Sequence, residues 1–131
     1  MKNKNKYDTS KIRTLKNTFN FKEYENIVNN LLEKESYKEA LPFLLEMNNH
    51  KEDLEYLLKT GLCYYNTEDY ENSLLYFTKV YNACKNINFL KISDDMVSRL
   101  VNFIAFSYHR LEKHKECMAF CKTITPKGKG Y

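Results

Sequence analysis

The chain has 131 residues, of which 43% are hydrophobic and 29% charged, with three glycines, two prolines and no tryptophan. That is enough for a single domain around one core, and it excludes a low-complexity or collagen-like chain. The net charge of +4 is uneven: residues 1–16 carry +5, residues 122–131 carry +3, and the body between them is −4. Basic arms of this kind attract nucleic acid or anionic lipid, but they more often serve as solvated tails.

Asparagine and lysine alternate over Met1–Lys6 with no apolar segment behind them, so this stretch does not read as a signal peptide. No window approaches the ~18 consecutive apolar residues of a membrane span. Cys63, Cys84, Cys117 and Cys121 lie inside helical patterns, and with no secretion signal read in the sequence they are expected as reduced thiols in a cytoplasmic setting.

In chain order, Ile12, Leu15 and Phe19 recur at helical spacing and predict a short lead-in helix in a basic arm over residues 1–19. Asn20 and Glu23 have capping-box spacing ahead of a stripe of Tyr24, Ile27, Val28 and Leu31. Ser36 and Glu39 predict a second box opening a helix that packs through Tyr37, Ala40, Leu41, Leu44 and Met47, with a kink expected at Pro42. The next helix is expected to start within Asn49–Glu52 and end near Asn66. Thr67 is the expected N-cap of its partner, which runs through Val80 and Cys84 to Ile87 or Phe89.

A last pair begins near Ser93, with Asp94 and Asp95 favourably placed against the helix dipole. Its second helix carries His114, Cys117, Cys121 and Ile124. Thr125-Pro126 is expected to stop it, leaving a frayed tail over 126–131. The hairpins thus span about 20–48, 50–89 and 93–125 of one domain, residues 20–125.

Within these pairs a large, a small and an aromatic residue recur in order. Leu57, Gly61 and Tyr64 are followed by Tyr70, Ser73 and Phe77, and the pattern returns at Val101, Ala105 and Tyr108. Val28, Gly61 and Ala105 align at spacings of 33 and 44 residues. This order and the first spacing resemble the tetratricopeptide repeat, whose period is about 34. The second interval carries about ten extra residues, roughly 85–94, equivalent to ~15 Å of helix.

The resemblance implies an all-α fold: a right-handed superhelix of antiparallel helix pairs, six main helices in all. The first helix of each pair would line an inner groove. The implied groove residues are Asn26 and Asn29 from the first pair and Leu58, Lys59, Leu62 and Tyr65 from the second. The third supplies Arg99, Asn102, Phe103, Phe106, His109 and Arg110. Leu58, Leu62, Phe103 and Phe106 would form an apolar floor. The asparagines suit a ligand backbone, and Lys59, Arg99 and Arg110 suit a carboxylate. Family members that clamp acidic chaperone tails use a cationic pattern that is not met here: Glu25 and Phe103 stand where two of the cations belong, although Asn29 and Arg99 match.

Chemistry-bearing motifs are missing from the sequence. It has no glycine-rich phosphate loop, no HExxH, no CxxC and no serine elbow, so an enzyme is not expected. His109, His114, Cys117 and Cys121 have ligand-like spacing, but the resemblance implies that Cys117 takes a slot for alanine and Cys121 one for a large apolar residue. Neither a metal nor a cofactor is expected. Tyr24, Tyr37, Tyr64, Tyr70 and Tyr108 likewise read as core rather than as base-stacking platforms.

The function implied is therefore a protein-binding adaptor, holding a partner peptide or helix in the groove. The alternatives are a chaperone for a secreted or aggregation-prone partner, and nucleic-acid binding through the basic tails. The last helix has no room for a capping helix after it. Its face at Met118, Cys121 and Ile124 is expected to self-associate or be covered by a partner.

Overall fold

The structure is a computed structural model that describes residues 19–86 and 94–128. Those residues are all-α, with six helices and no strand: α1 Phe21–Glu33, α2 Tyr37–His50, α3 Leu54–Asn66, α4 Tyr70–Asn86, α5 Asp94–Arg110 and α6 His114–Gly128. Each helix packs chiefly on its neighbours in the chain. The expected lead-in helix before Phe19, the continuation of α4 past Asn86 and the extra residues before Asp94 lie outside the described residues. Phe19 itself stacks on His50 at 3.9 Å and packs against Phe21 and Tyr24.

The same turn closes all three hairpins. Glu35, Glu68 and Glu112 have φ of 59°, 65° and 58°, the left-handed conformation normally left to glycine. Each follows a helix end closed by two reverse hydrogen bonds. Glu35 N–H donates to Leu32 and Ser36 N–H to Leu31; Glu68 donates to Tyr65 and Asp69 to Tyr64; Glu112 donates to His109 and Lys113 to Tyr108. The following helix then starts at once, with the carbonyls of Ser36, Asp69 and Lys113 accepting from Ala40, Ser73 and Cys117. Three-residue links of this kind turn a chain back on itself, making antiparallel neighbours of the helices they join.

This turn corrects two expected caps. Ser36 is the N-cap of α2 but makes no side-chain capping bond. Its N–H, which a capping box needs for Glu39, is already given to Leu31 at 2.8 Å. Thr67 ends α3 instead of starting α4, its hydroxyl donating to the Cys63 and Tyr64 carbonyls. Asp69 caps α4, accepting from the Asn72 N–H and from the Asn72 side-chain amide.

Two boundaries also move, and one helix runs unbroken past its proline. α3 starts at Leu54 behind an Asp53 cap, because α2 continues to His50. α2 is continuous through Pro42; the carbonyl deprived of a donor is that of exposed Lys38, within reach of water. α6 passes through Thr125-Pro126 and ends at Gly128, so the proline does not stop it.

α3 is central and is buried on two sides. Tyr56 and Cys63 join a core with Tyr24, Val28 and Leu31 of α1 and Ala40, Phe43, Leu44 and Met47 of α2. Leu57 joins a second core with Phe77, Val80, Tyr81 and Cys84 of α4 and Leu100 and Ile104 of α5. Between these faces, buried Thr60 donates to the Tyr56 carbonyl at 2.7 Å and accepts from Asn48 at 2.9 Å. Of the small residues, Ala40, Gly61 and Ser73 are buried, while Ala105 is only half-buried. Among the tyrosines expected in the core, Tyr24 is fully buried, and Tyr37, Tyr64, Tyr70 and Tyr108 are half-buried; among the described residues Tyr56 and Tyr81 are buried as well.

Candidate functional site

Side chains link the first helices of successive hairpins directly. Between α1 and α3, the Tyr56 hydroxyl donates to Glu25 at 2.7 Å, Lys59 Nζ donates to Asn29 Oδ1 at 3.2 Å, and Phe21 meets Tyr56 edge-on at 5.1 Å. Between α3 and α5 the link is aromatic. Tyr65 meets Phe103 at 4.9 Å and Phe106 at 5.8 Å, and on α4 it meets Tyr70 at 5.7 Å and Phe77 at 6.1 Å.

At one end of this seam is a cleft of about 320 Å³ lined by Leu58, Leu62, Asp95, Met96, Arg99, Leu100 and Phe103. Helical geometry builds it. Leu58 and Leu62 are one turn apart on α3, while Met96, Leu100 and Phe103 recur at four and three residues along α5. The Phe103 ring forms the inner wall, stacked at 4.9 Å and 7° on buried Phe77. Arg99 reaches Asp95 at 3.4 Å across an exposed pair at the rim.

At the other end, Phe106 remains 41% exposed. The Arg110 guanidinium lies 5.3 Å from the Tyr70 ring centre and 5.9 Å from that of Phe106. A second hollow, of about 480 Å³, is lined by Tyr70, His109, Arg110 and Glu112. The phenol of Tyr65 is pushed above its usual range by burial and by Tyr70, with Arg110 opposing. Tyr56 is also pushed up, by burial first and then by its bond to Glu25.

The implied groove residues are therefore distributed unequally. Leu58, Leu62, Arg99 and Phe103 share the cleft, and Tyr65 of α3 with Phe106, His109 and Arg110 of α5 continue the line beyond it. Lys59 and Asn29 are bonded to each other, and Lys59 is also held by Glu55 at 2.9 Å. Asn26 and Asn102 are exposed and have no hydrogen-bond partner among the described residues. Met96 and Leu100 also line the cleft, at helical spacing from Phe103, and Tyr70, expected in the core, lines the second hollow; none of the three is among the implied groove residues.

On the last helix, Met118 is 63% exposed and Cys121 is exposed. Cys121 does not fill the large apolar slot assigned to it; Phe120 packs inward instead, on Tyr81 at 5.2 Å and Tyr108 at 6.2 Å. Half-buried Ile124 joins the second core. Among the described residues no group of three or more His, Cys, Asp and Glu side chains is placed to hold a metal. None of the described helices is long and apolar enough to cross a membrane.

Comparison of the chain with protein-family models, with curated proteins and with solved structures gave no match.

Proposed function

We propose that the chain is a non-catalytic protein-interaction module of three tetratricopeptide-like hairpins, taking a partner's peptide or helix on the face shared by α1, α3 and α5. One observation carries this reading. An apolar cleft opens onto a line of half-exposed aromatic rings, Tyr65, Phe103 and Phe106, with charged and amide groups at its rim. An apolar floor with a few orienting polar groups is what a recognition surface requires, whereas a purely structural face would cover its rings. The turn recurring at Glu35, Glu68 and Glu112 supports the repeat, because its spacings equal those between Val28, Gly61 and Ala105.

The test is photo-cross-linking in the native host. A benzophenone amino acid at position 106 should trap one dominant protein. The same probe at Leu75, 52% exposed on α4, should not. Equal trapping at both positions, or none at 106, would remove this face from the proposal.

A further inference from the structure

We infer that the occupant of this face is an acidic peptide. Its carboxylate docks on Arg110, and a large apolar side chain about 10 Å away along α5 fills the cleft formed by Leu58, Leu62 and Phe103. The inference rests on the reading of this face as a docking surface and adds to it a polarity and a spacing.

Of the implied groove residues, Lys59, Arg99 and Arg110 carry a fixed positive charge, and the first two are already engaged among the described residues. Lys59 Nζ is held by Glu55 and by Asn29 Oδ1. Arg99 pairs with Asp95 one helical turn away. Arg110 has no ion pair or hydrogen bond among the described residues. Instead its guanidinium rests on Tyr70 and Phe106, both within the ~6 Å at which a ring face attracts a cation. Tyr70 is braced in turn by Tyr65 and Phe106. A guanidinium seated on rings keeps its in-plane N–H donors open, in the fork geometry that accepts a carboxylate through two bonds.

The surrounding groups set the direction of approach. Glu112 lines the hollow beside Arg110 without pairing to it. Its charge repels a guest anion there, so the guest carboxylate meets Arg110 from the Phe106 side, toward the cleft. Phe103, Phe106 and Arg110 lie at three- and four-residue steps on one stripe of α5. The seven residues from Phe103 to Arg110 span about 10 Å at 1.5 Å per residue. An extended ligand covers that distance in about three residues, and a helical one in about seven.

The test is selection of a phage-displayed random peptide library on the full chain. The selected peptides should share a large apolar residue with Asp or Glu three positions away, or seven if they bind as helices. Selection on Arg110→Gln should keep the apolar preference and lose the acidic one. A selected peptide should bind Arg110→Gln about tenfold or more weakly and with a shallower salt dependence, the loss expected of one charged hydrogen-bonded contact. Replacing its acidic residue by the amide should cause the same loss on the wild-type chain and no further loss on Arg110→Gln. Lys38→Gln and Lys79→Gln, at exposed lysines on α2 and α4 away from this face, should bind it within about twofold of wild type. Apolar consensus peptides without the acidic position, or unchanged binding to folded Arg110→Gln, would overturn the inference and leave the docking face standing. Recovery of no consensus at all would overturn both.

Discussion

The ring of Phe77 sits so close to Gly61 that a Cβ at position 61 would stand 2.9 Å from two of its carbons. The glycine is a seat for an aromatic ring, and that ring is buried and stacked on Phe103 of the cleft wall. Gly61→Ala should therefore lower stability by about 1 kcal/mol, since overpacking costs ~1–3 kcal/mol and the gain in helix propensity returns about 1. Urea denaturation checks this through a lower midpoint at unchanged slope. Adding Phe77→Leu should shrink the penalty of Gly61→Ala. A higher midpoint for the alanine variant would show that the ring has room to move.

Ser73 of α4 and Ser107 of α5 are both fully buried and bond to each other at 3.2 Å. Removing one hydroxyl leaves the other buried with no side-chain partner, at a cost of about 1–3 kcal/mol. Ser73→Ala and Ser107→Ala should each destabilise the chain, and the double variant should lose less than the two combined. Additive losses in a double-mutant cycle would mean that the pair is not coupled.

The left-handed glutamates carry a testable strain. A non-glycine residue in this conformation costs roughly 1–2 kcal/mol, and part of that returns when glycine replaces it at the cost of a more flexible unfolded chain. Glu35→Gly, Glu68→Gly and Glu112→Gly should each raise stability, by up to about 1 kcal/mol. β-Branched Val at the same sites should lower it. A loss on glycine substitution at all three would mean that the glutamate side chains stabilise the turns.

The thiols should divide by burial. Burial pushes Cys63 from its ordinary 9.0 up to about 12, and it raises Cys84 as well. Cys117 is also raised, by burial first and then by neighbouring Cys121. At pH 8, iodoacetamide should modify exposed Cys121 first, and Cys63 and Cys84 only on unfolding. Because the folded chain retains the Cys63 proton longer than the unfolded one, this stability is present below pH 9 and lost as pH rises toward 12. Urea midpoints should fall over that range, and less steeply in Cys63→Ala. Identical slopes in the two chains would contradict the assignment.

The periodic elements were legible because they depend on local spacing. The stripe Tyr24, Val28 and Leu31 and the cap pair Asn20 and Glu23 are visible in any window, and the structure keeps both, with Glu23 N–H donating to Asn20 Oδ1 at 3.1 Å. Thr67 misled because its hydroxyl, an N-cap by type, bonds back to α3 once Glu68 turns left-handed, and no glycine announces that turn. Pro126 misled because it marks a lost donor and not the end of a helix. In the candidate site, the resemblance implied that Leu58 and Leu62 share one surface, and both line the cleft. The resemblance was silent on which cations were already paired, because Lys59 to Asn29 is a contact between helices 30 residues apart.

The docking face is tested most directly by titrating a library-selected peptide into the chain and into Leu62→Asp, with helicity followed by circular dichroism. Leu62 is half-buried in the cleft, and a charge there removes the apolar floor without touching Arg110. Saturable binding to the wild-type chain and to the control Leu75→Asp, and its loss in a still helical Leu62→Asp, is the predicted result. Undiminished binding by folded Leu62→Asp would place the partner elsewhere on the molecule.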